Sequence, residues 1–365
     1  MINKKFRKYI EQLAKNEAFD EESDYHANVL FEVDQKSFSS KLKDRLPSNK
    51  NINIIYNEVA STLLELDKDS SSYLSSLPFL DIVEINPSLL EDNPYYQKLI
   101  KKSSSKYKDI EFGFDYFYPY VPFLLDEKII GDDYKCHSPF GYFSKRIKYP
   151  LIRKNGANWM ELVPHEINSM EIDIKKAKGN ILVVGLGLGY FAYMASNKKE
   201  VSSVTILEKD KDIIEIFNSC LLDEFENKSK IKIINDDALT YLDYPKYDFV
   251  YIDIYRDEAD GLPLVGKLLN NPKLPLDTSF WFISSLIVYL RRFVIVLLEM
   301  TSNPSFNEKE YEEFGRDLKD PTNVDYLIYK IYKDYIKPNN INTKENIDSL
   351  LNFESMLGLL KDLFK

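Results

Sequence analysis

Three alternating glycines follow a run of apolar residues in "NILVVGLGLGYFAYMAS", residues 180 to 196. Gly185, Gly187 and Gly189 stand where a buried parallel strand passes into a helix. Residues without Cβ at such a point let the backbone bend sharply and approach a ligand closely. About twenty residues on, Glu208 ends the apolar run "VTIL", where an acid at the tip of a second strand accepts both hydroxyls of a ribose. These two signals specify an adenosine-bearing cofactor. They do not choose its chemistry, because the stretch from Gly187 to Ala192 also has the dinucleotide spacing GxGxxA. For the glycines alone, a strand-to-helix turn without ligand is the competing reading. Further along, Asp237 and Ala238 follow a third strand, "IKIIN", where an acid and an adjacent backbone N–H match the edge of adenine. Asp253 ends a fourth strand, "YDFVYID", and faces the reacting centre in the crevice at the carboxyl ends of the sheet.

The elements that must position these residues divide the chain into four parts. Residues 1–105 place apolar residues at helical spacing, as in "NEVASTLLELDKDSSSYLSSL", broken by Ser-rich and Pro-containing joints. The run KKSSSK at 101–106 reads as a linker. Residues 106–158 form a small β unit rich in aromatics, with Asn155-Gly156 as a hairpin signal between two apolar runs. Residues 159–270 alternate helix and strand as an α/β, doubly wound sheet requires. Residues 271–365 read as helices, so strands five to seven of such a sheet are hard to find. In "FWFISSLIVYLRRFVIVLLEM", residues 280 to 300, Arg291 and Arg292 each cost roughly 2.5–3.5 kcal/mol in a bilayer, so the segment reads as a buried helix and not a membrane span. Asp277, Thr278 and Ser279 are its N-cap candidates. A solvated helix edge is preferred for the two arginines over pairing with carboxylates of a neighbouring domain.

The ordered series VVGLGLG, TILEKD, NDDAL, YDFVYID resembles the motif series of class I S-adenosylmethionine-dependent methyltransferases, and more closely their spermidine-synthase-like branch. "NGANWMELVPHEINSM" is similar to that branch's hairpin-then-helix entry. The resemblance covers roughly residues 150–260 and implies a Rossmann-like domain binding S-adenosylmethionine. It carries the cofactor-binding roles to Gly185, Gly187, Gly189, Glu208, Asp237, Ala238 and Asp253. Asp253 and His165, on the helix beside the cofactor, are the catalytic candidates. The chain departs from the branch where the substrate is chosen: Leu188 replaces the acid of the glycine turn, and Arg256 stands where the second acid after Asp253 belongs. A cationic polyamine would meet an arginine there, so methyl transfer is favoured over aminopropyl transfer. A non-catalytic cofactor-binding scaffold is the third option.

Composition narrows the partners. With 365 residues, 44% hydrophobic and 29% charged, the chain has the makeup of a globular protein with a sizeable core. A formal charge of -10 argues against nucleic acid or an anionic membrane as the main partner. A small-molecule acceptor is expected, with a homodimer left open. Two cysteines and a charged N-terminal stretch lacking an apolar core point to a cytoplasmic protein. Cys136-His137 and His165-Glu166 lack metal-ligand spacing, and no metal is expected. "NPYY" at 93–96 reads as a turn before a helix, and the aromatics of "EFGFDYFYPYVPF" as core.

Overall fold

The chain is described by a computed structural model over residues 4–46, 51–131, 135–320, 323–339 and 341–365. The architecture is mixed α/β with about 52% helix, so the sheets have ample helical surface to bury against. The N-terminal region opens with α1, Lys4–Glu32. Its second half shares a core with three shorter helices, in which Leu30, Phe38, Tyr56 and Val59 are fully buried. Val121 and Phe140 complete this core from the β region. The strand Ile82–Glu84 also pairs, in parallel, with Phe140–Tyr142, so backbone bonds tie the helical region to the aromatic one. The "NPYY" segment does begin a helix, α2, Pro94–Leu99. Asn93 caps it by accepting the Tyr95 and Tyr96 N–H groups at 3.0 and 3.1 Å, and Pro94 at N1 has no N–H to leave unpaired.

Four strands form an antiparallel sheet: β1, Ser105–Tyr107; β2, Ile110–Phe117; β3, Ile147–Lys154; and β4, Ala157–Glu161. The β3–β4 hairpin turns on Asn155 and Gly156, whose φ values of +52° and +78° fit the Asn-Gly signal in the sequence. Linker character ends early in KKSSSK, because Ser105 already pairs with Phe112. The chain leaves β4 into α3, Pro164–Lys176, which buries Ile167, Met170 and Ile174.

A five-stranded parallel sheet follows: β5, Gly179–Val184; β6, Val201–Glu208; β7, Ile231–Asn235; β8, Phe249–Ile252; and β9, Thr278–Phe280. Its order is β7-β6-β5-β8-β9. The chain therefore winds outward from β5, returns to β5's other side as β8, and reverses beside the glycine turn. Helix α4, Tyr190–Ser196, follows that turn and buries Phe191 and Tyr193. The connection from β7 to β8 carries only a short 3-10 turn at Tyr244–Lys246 in place of a helix.

Two expectations are corrected here. The fifth strand exists, because Thr278 and Ser279, read as helix caps, pair with Val250 and Tyr251 of β8. Three residues gave too short a run to show periodicity, and the chain then turns at Phe282, φ +55°, into α5, Ile283–Ser302. The arginines of α5 do not line a solvated edge. Arg291 is 1% exposed and pairs with Glu17 of α1, while Arg292 reaches Asp24 at 2.8 Å and Glu17 at 3.6 Å. Among the described residues no helix is long and apolar enough to cross a membrane.

Candidate functional site

Backbone bonds align the carboxyl ends of β6, β5 and β8: the Gly185 N–H donates to the Leu207 carbonyl and the Asp253 N–H to the Val184 carbonyl, both at 2.8 Å. The chain leaves β5 at Gly185 with φ +95°, and a Cβ there would lie 1.8 Å from the Asp253 carbonyl oxygen. Only glycine fits this crossing. At Gly187, φ +50°, a Cβ would meet the Met160 Cε at 2.5 Å. Met160 of β4 thus lies over the turn. Gly189, also at positive φ, precedes α4.

Each predicted residue has a definite place in this frame. Glu208, at the tip of β6, accepts the Leu186 N–H of the turn at 3.0 Å through Oε2 and the Asp210 N–H at 2.7 Å through Oε1. Burial raises its pKa, and these backbone donors pull it back. Asp237, past the end of β7, accepts the Leu239 N–H at 2.9 Å and pairs with Lys209 at 2.7 Å, which holds it below the usual carboxylate range. Ala238 is buried, and its carbonyl accepts the Tyr244 hydroxyl at 2.8 Å. Because Glu208 pairs with Asn235 across β6 and β7, and Asp253 follows β8, all three acids stand at one end of the sheet, where the strand order reverses. That end is the crevice in which open α/β sheets bind ligands.

Beneath the turn is a cavity of about 30 Å³ lined by Met160, Glu161, Glu166, Tyr251, Asp253 and Phe191, among others. Burial and the charges of Glu166 and Glu208 push the Asp253 carboxyl well above its ordinary value. Tyr251 is stacked on Phe191 at 3.9 Å, and its buried hydroxyl has no hydrogen-bond partner among the described residues. Tyr255 is committed elsewhere, donating to the Trp281 carbonyl at the end of β9. His165, at the start of α3, contacts Glu166 at 3.2 Å. Burial disfavours its charge, yet Glu166, Glu161 and Asp126 outweigh that and raise its pKa. Glu127, whose Oε2 accepts the Ser284 N–H at 3.1 Å, is pushed by burial to about 7.

Two sequence arguments about the substrate do not survive this geometry. Arg256 does not face the site: its side chain is 67% exposed and lies 3.6 Å from Asp260. A second acid beside Asp253 is present, but it comes from α3 as Glu166, not from three residues further along the strand. The adjacency of His165 and Glu166 was the available signal for it; nothing in the spacing marked Glu161, Glu127 or Met160. The "NPYY" segment also has a second role. The Tyr95 hydroxyl donates to the Leu188 carbonyl at 2.5 Å, Asn93 donates to the Tyr190 hydroxyl at 3.1 Å, and Tyr95 stacks on Tyr193 at 4.3 Å. The glycine turn is therefore braced from the N-terminal region.

The donor set suits an adenosyl group. Both Glu208 oxygens keep a lone pair for ribose hydroxyls, and the turn exposes a close backbone approach. The cavity beneath the turn is smaller than that group and does not reach Glu208, Asp237 or Ala238, and Met160, an unbranched side chain with three rotatable bonds, lies against Gly187 at the turn itself. Among the described residues no three His, Cys, Asp or Glu side chains gather as a metal site. In comparisons with known proteins, no family model and no curated protein matches this chain.

Proposed function

We propose that the chain is an S-adenosylmethionine-dependent methyltransferase with a Rossmann-like, doubly wound domain, acting on a small-molecule acceptor. One observation carries the reading: Glu208, Asp237 and Asp253 stand at the carboxyl end of one parallel sheet, around a glycine turn at the reversal of strand order. The bound cofactor supplies an electrophilic methyl on a sulfonium. Glu208 holds the ribose hydroxyls, and Asp237 with the Ala238 N–H faces the adenine edge. Asp253 orients the acceptor and takes its proton, and the enzyme's contribution is mainly positioning and charge placement. Met160, seated against Gly187, would have to swing aside for an adenosyl group to lie along the turn. The test is a thermal shift: S-adenosylmethionine and S-adenosylhomocysteine raise the melting temperature and NAD does not. A shift with NAD alone overturns the assignment.

A second reading, aminopropyl transfer to a polyamine, gains from one observation: Glu166 and Glu161 line the cavity with Asp253 while Arg256 points away. Carboxylates so placed would neutralise an amine that loses its water on entry. Methyl transfer is kept as the primary reading on the one departure that stands, Leu188 in place of the acid of the spermidine-synthase-like branch's glycine turn. Calorimetry separates the two, with tighter binding of S-adenosylmethionine than of its decarboxylated form and no putrescine binding expected for the methyltransferase. Putrescine binding together with spermidine formation selects the alternative.

A further inference from the structure

An acceptor that gains a methyl group must lose a proton, and Asp253 takes that proton in an enclosed place. The C–S bond of a methyl sulfonium donor breaks with its electron pair left on sulfur. A bond from the acceptor atom to carbon forms, and the acceptor's proton passes to Asp253. For a second turnover that proton must leave. Asp253 and Glu166 line the same cavity of about 30 Å³. By the space a buried water needs, it holds about two water molecules. The Tyr251 hydroxyl lies in the same wall with no partner among the described residues. From Glu166 the next group outward is His165, in contact at 3.2 Å and 25% exposed at its side chain, against 12% for Glu166.

We propose that Glu166 and His165 form a proton outlet for Asp253: water in the cavity, held by the Tyr251 hydroxyl, joins the Asp253 and Glu166 carboxyls, and His165 hands the proton to solvent. The inference rests on the reading of Asp253 as the acceptor's base. The charged and titratable groups around the path act at both of its ends: they hold the proton on Asp253 until it is ionised, and they favour its uptake by His165. Glu166 from α3 and Glu208 from β6 bear on Asp253, with Tyr251 and Tyr255 on its own segment. Asp126, Glu161 and Glu166 bear on His165 and favour its protonated form. Glu166, at the cavity wall, and His165, more exposed than it, thus lie in order toward the surface, and Phe282 packs edge-on to the His165 ring at 6.2 Å.

Infrared spectroscopy of the protein without cofactor tests the outlet independently of any activity. Below the pH at which Asp253 ionises, the wild-type chain is expected to show a protonated-carboxyl band that is lost in Asp253→Asn, that titrates away as rising pH frees the base, and that exchanges with deuterium as fast as solvent is mixed. In Glu166→Gln and in His165→Phe the same exchange slows by roughly a hundredfold, the lower range for loss of a positioned proton-transfer group. His165→Phe decides the matter if Glu166→Gln fails to fold, because its site is partly exposed. A wild-type chain with no Asp253-dependent band at any pH, or exchange that neither variant slows, overturns the proposal. The methyltransferase reading is tested separately by the thermal shift with S-adenosylmethionine, so failure of the outlet is told apart from failure of that reading.

Discussion

Removing the guanidinium of Arg291 gives a pH-dependent loss of stability whose size follows from its surroundings. Arg291 of α5 and Glu17 of α1 are 1% and 4% exposed and paired, and Glu17 also has Arg292 at 3.6 Å. Burial raises the Glu17 pKa from 4.5 to about 7, while Arg291 and Arg292 pull it down and Asp20 and Glu21 push it up. Asp20, whose Oδ2 accepts the Cys136 N–H, is itself raised by burial to about 6. A carboxyl whose pKa is raised on folding contributes stability that is full below its unfolded value and is lost as pH rises through the folded one. At about 1.4 kcal/mol per unit of pKa, the rise of Glu17 amounts to about 3 kcal/mol between pH 4.5 and pH 7. In Arg291→Met the main partner is gone, so Glu17 holds its proton to still higher pH. Above that point the variant keeps a buried carboxylate with only Arg292 left at 3.6 Å, a loss of up to about 3–5 kcal/mol. At pH 5 Glu17 is neutral in both proteins, and the loss shrinks to about that of a hydrogen bond, roughly 1 kcal/mol. Denaturant unfolding followed by circular dichroism at pH 5 and pH 8 measures both values. Equal losses at the two pH values, or less than about 1 kcal/mol at pH 8, would refute the assignment of a buried, paired carboxylate.

Four further outcomes follow from the site. Glu208→Ala weakens S-adenosylmethionine binding by about 1.5–3 kcal/mol in calorimetry, the range for a hydrogen bond to a charged group; unchanged affinity means its oxygens do not meet the ribose. Asp253→Asn lowers turnover but leaves cofactor affinity nearly intact, since Asp253 lies at the reacting end; a parallel loss of binding contradicts that place. Gly185→Ala destabilises by more than the 1–3 kcal/mol typical of backbone strain, because its Cβ would also strike the Asp253 carbonyl, and thermal unfolding reads it. Tyr95→Phe leaves the buried Leu188 carbonyl without its donor and costs about 1–3 kcal/mol in denaturant unfolding; no change would show that the turn does not need its brace.

What the sequence made legible was local. The buried strands β5, β6 and β8 read as apolar runs, and the Asn-Gly hairpin and the three glycines are places where backbone conformation dictates residue type. Acids at strand tips are equally visible, because a strand's end is set by its own residues. The short β9 escaped because three residues between a loop and an apolar helix carry no period of two to detect. Arg291 and Arg292 were misread for a different reason: their partners, Glu17 and Asp24, lie more than 260 positions away in sequence. Nothing within an apolar helix announces a carboxylate from another element.

The same limit governs the substrate argument and explains why spacing along β8 misled. Three residues past Asp253 the chain has left the strand, so Arg256 turns outward to Asp260 and has no bearing on what enters the crevice. The space opposite Asp253 belongs to α3 and β4, whose Glu166, Glu161 and Met160 approach from the preceding hairpin-and-helix unit. The residues proposed to hold the cofactor are read off a single strand edge because the glycine turn and the strand tips are one continuous structure. Acceptor-binding residues come from whatever packs over that edge. Short-range motifs therefore carry the proposed cofactor class, while the acceptor side of the proposal depends on tertiary packing: a cavity lined by Asp253, Glu161 and Glu166 and by the Tyr251 hydroxyl, which has no partner among the described residues.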